Sequence, residues 1–235
     1  MLNQKILFVP GLNLNPNQME SFASKVTSNY DIMILPGINP QNKKQKIQSF
    51  EEWVEALVLK IQSESFDSFV GFSLGGLLLA TLIKRGHINP DQNKVTLLAP
   101  ALRIFPHSWL PEKIFNLIKI PGMISLQKSQ FIVHRVTPRG LYMGLYEGIR
   151  KIEDDLSFLN HQNIQCFLHE RDELVWSKQI SNELSDLNEQ NIKLQTLKHK
   201  ALLGPHLHHL CFHPDNLTNN DFEAFLGQMT QFLDT

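Results

Sequence analysis

A chain of 235 residues with a formal net charge of −1 is long enough to bury a sizeable core without disulfides or metals. Charge this near neutral, with no basic stripe, argues against a nucleic-acid footprint. Two cysteines make no disulfide framework, and no apolar run approaches a secretory leader or the roughly 18–20 residues of a spanning helix. The expectation is a soluble cytoplasmic protein.

Residues 5–9 form the first expected strand, closed by Pro10-Gly11. A helix over 17–28 and a strand over 31–35 follow, the second closed by Pro36-Gly37. The run "QNKKQK", 41–46, reads as a solvated loop. Over 50–62 apolar residues recur at three- and four-residue steps: Phe50, Trp53, Val54, Leu57, Val58 and Ile61. Ser49 begins that helix, with Glu51 and Glu52 near its positive end.

The strand Ser68–Phe72 runs directly into the helix Leu74–Lys84, and a strand over 95–99 comes next. Residues 103–146 break the rhythm. They carry prolines at 106, 111, 121 and 138 and many large apolar residues, with no clear strand. The segment is too long for a connecting loop, so a small helical insertion is expected. Strands over 164–168 and Lys193–Leu197 alternate with helices over 177–186 and 221–233. The alternation predicts one α/β domain over 1–235, a mostly parallel sheet of about six strands with helices on both faces.

Chemistry enters at Gly71-Phe72-Ser73-Leu74-Gly75, a G-x-S-x-G match. An apolar strand precedes it and an apolar helix follows at once, the setting a nucleophile elbow requires. The tight turn lifts the serine hydroxyl above the strand ends. The N–H of Leu74, at the positive end of a helix, points where an oxyanion would develop. A helix-capping serine in a Gly-rich turn is the plainer reading. A phosphate-cradling loop lacks its motifs here.

At these residues the chain resembles the α/β-hydrolase family, and most of all its small bacterial carboxylesterases and monoacylglycerol lipases. "ILFVPGLNLNPNQMESFASKV" is similar to that group's strand, oxyanion loop and first helix. "VGFSLGGLLLATL" is similar to its elbow, "VTLLAPAL" to the next strand, and "RDELVWSKQI" to its acid loop. The resemblance spans nearly the whole chain and implies a trimmed sheet that begins at the family's third strand. It implies an oxyanion hole from the backbone N–H groups of Leu12 and Leu74. The family's His-Gly is replaced here by Pro10-Gly11, and Asn13 is either a turn residue or a further donor.

Triad order in this fold is Ser, acid, His. The family's acid pattern falls on Asp172-Glu173-Leu174-Val175, which makes Asp172 the acid, Glu173 its alternate and Glu170 a third choice. The base belongs between the last strand and the last helix, where His199, His206, His208, His209 and His213 all lie. Aligning "LHHL" with the family's Gly-His-His-hydrophobic pattern puts Leu207 in the glycine's place and His208 as the base. His209 is the base if the loop shifts by one. The same histidines with Cys211 could instead ligate zinc, but they lie in a loop with no paired CxxC, so neither metal nor cofactor is expected.

The implied activity is hydrolysis of a carboxylic ester with an apolar acyl group, or of a thioester by the same groups. The insertion would cap the site and supply an acyl pocket from residues such as Phe105, Trp109, Leu110 and Phe115. It could also touch a lipid surface in passing. The rival from another class is a non-catalytic protein of this fold that binds a ligand or partner, and Pro10 and Leu207 speak for it.

Overall fold

A computed structural model describes residues 4–42, 49–118, 120–125, 127, 129–186, 191–198, 208–213 and 218–235. Six strands form one parallel sheet: β1 (Ile6–Val9), β2 (Tyr30–Ile32), β3 (Ser68–Phe72), β4 (Lys94–Leu98), β7 (Ile164–His169) and β8 (Lys193–Leu197). Their order is β2-β1-β3-β4-β7-β8. Every pairing is parallel, for example Val70 beside Thr96 and Thr96 beside Gln165. The central strands β1, β3 and β7 are buried along their whole length. They read as apolar runs because helices cover both faces.

One face packs under α1 (Pro16–Val26) and α7 (Asn219–Asp234), through Phe22, Phe222, Phe225 and Met229. The other packs under α2 (Phe50–Ser63), α3 (Leu74–Lys84), α5 (Arg139–Ile152) and α6 (Ser177–Ser185). Helix α2 starts as its sequence indicates, with the Glu52 carboxylate accepting the Ser49 N–H at 3.1 Å. The second strand is shorter than expected. It ends at Ile32, and the chain turns at Gly37, whose φ of 76° suits glycine.

The insertion departs most from its expectation. It holds α4 (Leu110–Leu117), but also a short antiparallel hairpin of β5 (Gly122–Ile124) and β6 (Val136–Pro138). Gly122 explains the pairing, since a Cβ there would collide with the Thr137 carbonyl oxygen. Pro106 and Pro111 begin helical turns and do not interrupt them. Helix α5 follows β6 directly and runs past residue 146 to Ile152, burying Leu141, Tyr146, Ile149 and Ile152 against α2 and α3. The insertion therefore leads into a core helix. No helix among the described residues is long and apolar enough to cross a membrane.

Candidate active site

Ser73 stands between β3 and α3 with φ 52° and ψ −109°, a conformation a serine rarely adopts. Such strain costs about 1–3 kcal/mol and persists only where the surroundings enforce it. Here the Ser73 N–H donates to the Leu98 carbonyl at 2.9 Å. The Ser73 carbonyl accepts from Leu77 at 3.1 Å and Ala101 at 3.0 Å. Space is equally constrained. A Cβ on Gly75 would strike the Val9 carbonyl oxygen, one on Gly71 would lie 2.6 Å from the Gly75 oxygen, and one on Gly76 would press on Pro100. The three glycines let α3 start hard against the sheet and the neighbouring loops.

The loop after β1 passes directly over this turn. A Cβ on Gly11 would lie 2.8 Å from the Phe72 ring and 3.1 Å from Ser73 Cβ. Leu12 follows it and borders the same cavity as Ser73. Asn13 takes φ 57°, and its side chain faces the insertion: Nδ2 donates to the His134 carbonyl at 2.9 Å and to Thr137 Oγ1 at 2.8 Å. It is a turn residue bound to the hairpin.

Asp172 ends up beneath the site because β7 runs alongside β4 and its following loop folds back. The carboxylate is buried. Its Oδ1 accepts the N–H groups of Leu174 and Val175, each at 2.8 Å, and its Oδ2 faces His209 Nδ1 at 2.8 Å. Two backbone donors and an imidazole N–H fix this carboxylate's orientation. His209 Nε2 lies 2.9 Å from Ser73 Oγ. An Nδ1–H donated to Asp172 leaves Nε2 free to accept the serine proton, the tautomer a general base needs.

Ser73, Asp172 and His209 are thus hydrogen-bonded in one row, and His208 is not part of it. The ring that faces Ser73 is that of His209, the alternate expected if the loop shifts by one, and not that of His208. His208 points away from Ser73; its Nδ1 meets Glu173 Oε1 at 2.5 Å, and its ring lies 4.8 Å from that of His169. The reason is packing in 208–213. Leu210, Cys211 and Phe212 are buried, with Phe212 edge-on to Phe72 at 4.8 Å and tilted on Phe22 at 5.1 Å. That anchor turns His209 over Phe72, 5.0 Å between ring centroids. Leu207, His206 and His199 lie outside the described residues.

The remaining ligand candidates are dispersed. His213 Nε2 meets Gln18 Oε1 at 2.9 Å. Cys211 is fully buried, and burial first, then the charge of Asp172, pushes its thiol far above the ordinary range. Among the described residues no group of three or more His, Cys, Asp or Glu is placed to hold a metal ion.

A cavity of about 400 Å³ opens beside Ser73 and His209. Its walls are mostly apolar and come from the loop after β1 (Leu12, Leu14), the insertion (Ile104, Leu110, Met123), and Tyr142, Leu145 and Tyr146 of α5. Of the four expected pocket residues, only Leu110 borders it. Phe105 turns outward, stacked on His107 and Trp176. Trp109 stacks at 5.1 Å on Tyr146, and buried Phe115 packs at 5.6 Å against Tyr142. Both aromatics back the α5 tyrosines and do not themselves face the cavity. Those tyrosines are not among the expected pocket residues, because the segment 103–146 shows them only as part of an insertion; the spacing of Leu141, Leu145, Gly148 and Ile152 carries the signal of α5.

No family model matches the chain, and no curated protein does. Solved structures do. A metagenome-derived lipolytic enzyme described with the pair LipS and LipT superposes with a TM-score of 0.68 at 16% identity, covering 98% of this chain and 93% of that one. A soluble variant of monoglyceride lipase from Saccharomyces cerevisiae, in complex with a substrate analogue, gives 0.68 at 12% identity, covering 98% and 87%. The RedJ thioesterase of Streptomyces coelicolor gives 0.60 at 12% identity, covering 98% and 91%. At such identities the likeness concerns the fold.

Proposed function

With the α/β-hydrolase fold as premise, we propose that this protein is a serine hydrolase that cleaves a carboxylic ester with an apolar acyl group through an acyl-enzyme. One observation carries the reading: Ser73, His209 and Asp172 are joined by hydrogen bonds of 2.9 and 2.8 Å at the edge of an apolar cavity.

His209 takes the Ser73 proton as Oγ attacks the acyl carbonyl. The backbone N–H groups of Leu12 and Leu74 hold the oxyanion, Leu74 from the first turn of α3, where N–H groups have no intrahelical acceptor. Asp172 fixes the imidazole tautomer and stabilises its cation. The cationic His209 then protonates the leaving alcohol, and water attacks the acyl-enzyme by the same steps to free the acid. The strained turn and close-packed glycines hold the nucleophile still, so little reorganisation accompanies charge development.

The acyl chain enters the cavity between the first oxyanion loop and α5. The insertion leaves Leu110, Leu117, Ile118, Ile124 and Val136 exposed, which supports transient contact with a lipid surface. A second reading, hydrolysis of an acyl thioester, uses the same residues and draws on the likeness to RedJ thioesterase.

The test is labelling of the folded protein with a fluorophosphonate, together with turnover of p-nitrophenyl esters and acyl thioesters of graded chain length. Ser73 is expected to be labelled and at least one series turned over. A folded protein that resists the probe and spares every substrate is a binding protein of this fold.

A further inference from the structure

The proposed mechanism uses Asp172 and His209 and leaves a second acid–histidine pair beside them. Consecutive residues supply both: Asp172 and Glu173 from one loop, His209 and His208 from the other. Glu173 Oε1 meets His208 Nδ1 at 2.5 Å. Its other oxygen, Oε2, accepts the backbone N–H of His209 at 3.3 Å. One carboxylate therefore engages the side chain of residue 208 and the main chain of residue 209, whose ring touches Ser73.

We propose that Glu173 and His208 are positioning residues: Glu173 clamps the turn that carries the base, and His208 holds the Glu173 carboxylate in place to do so. The inference rests on His209 being the base. An imidazole poised between two partners must be placed to a fraction of an ångström, and that placement depends on the residues behind it. Asp172 fixes only the far end of the ring. Phe212 anchors the turn through apolar contacts, which choose the ring that faces Ser73 but, being non-directional, do not hold it to a fraction of an ångström. Glu173 supplies a directional bond to the main chain.

Both members of the pair are held in turn. The His208 ring lies on His169, which is fully buried at the end of β7 and accepts the Arg171 N–H at Nδ1, 3.0 Å away. The Glu173 main chain is bound to the insertion: His107 Nε2 reaches its carbonyl at 3.3 Å, and the Phe105 N–H donates to the Leu174 carbonyl at 3.3 Å. Ile104 and Val175 pair across the same seam. Glu173 also borders the cavity.

The pair keeps about a fifth of its side-chain surface exposed, 21% for His208 and 23% for Glu173. Partly solvated polar pairs of this kind contribute little to stability, so its loss should register in turnover rather than in folding. Glu173→Ala, Glu173→Gln and His208→Ala are compared with the wild type by kcat, KM and Tm on the best p-nitrophenyl ester. Glu173→Ala and His208→Ala are each expected to lower kcat about tenfold, with KM and Tm nearly unchanged. Glu173→Gln keeps an oxygen for the His209 N–H and should recover most of the loss. The Nδ1–H resonance of 15N-labelled His209 needs no substrate and is expected to broaden or move in both alanine variants. If wild-type protein turns over nothing, the hydrolase reading fails, and the resonance alone decides the clamp. An unchanged resonance in the alanine variants overturns it, as does undiminished kcat in an active enzyme.

Discussion

Asn13 and His134 are bonded in both directions. Asn13 Nδ2 donates to the His134 carbonyl at 2.9 Å, and the His134 N–H donates to Asn13 Oδ1 at 2.8 Å. One side chain thus acts as a strand for the insertion, next to Leu12. His134 continues the link, its Nε2 donating to the Gly37 carbonyl at 2.7 Å. Asn13→Ala should cost about 2–4 kcal/mol, from unpaired buried groups and from an alanine at a positive φ that asparagine tolerates better. Asn13→Gly removes only the conformational part of that cost and should fall between. Urea unfolding of the three proteins checks the order, and Ser73 labelling should slow in both variants because Leu12 moves with residue 13.

Replacing the two neighbouring histidines separates their roles. His209→Ala should lower kcat by about 10³-fold or more, since the serine loses its base. His208→Ala should retain about a tenth of wild-type turnover. Equal losses in both variants would count against the assignment of His209, and initial-rate kinetics on one ester suffices to see it.

Two glycines in helices predict opposite outcomes for the same change. Gly75→Ala drives a methyl into the Val9 carbonyl oxygen, with backbone on both sides, so neither can yield. The expected result is insoluble protein or a displaced Ser73 that no longer reacts with the phosphonate. Gly227 lies within α7 with open space where a Cβ would go. Gly227→Ala should therefore stabilise by about 0.5–1 kcal/mol, raising Tm by about 1–4 °C.

Acid stability depends in part on Glu51. Hydrogen bonds from Arg85, at 2.7 and 2.8 Å, and then from Lys151 hold its carboxyl down to about 2. A carboxyl lowered by folding stabilises fully above its unfolded value near 4.5, and that contribution is lost as pH falls through about 2. Glu51→Gln should thus be less stable than wild type at pH 7, by about 0.2–1 kcal/mol given its exposure. Thermal melts should show the gap closing between pH 4.5 and 2.

Much of the fold was legible because its signals are local. Ser68–Phe72 followed by Leu74–Lys84 shows a buried strand, a glycine-bracketed turn and an apolar helix within seventeen residues, and the structure has the same boundaries. The hairpin of the insertion was not legible. Gly122–Ile124 and Val136–Pro138 are three-residue strands whose pairing depends on contacts with each other and with Asn13, none of which has a period.

Histidine assignment marks the boundary most sharply. Strand, turn and helix patterns around Ser73 mark a candidate nucleophile, and the Asp172-Glu173 loop a candidate acid, because each depends on residues adjacent in the chain. His208 and His209 are equivalent by composition and position, and each has its own carboxylate. Only the burial of Phe212 against Phe72 and Phe22, from three separate elements, turns one ring toward Ser73 and the other toward Glu173. A one-residue rotation of a loop costs nothing in local propensity, so the choice belongs to tertiary packing.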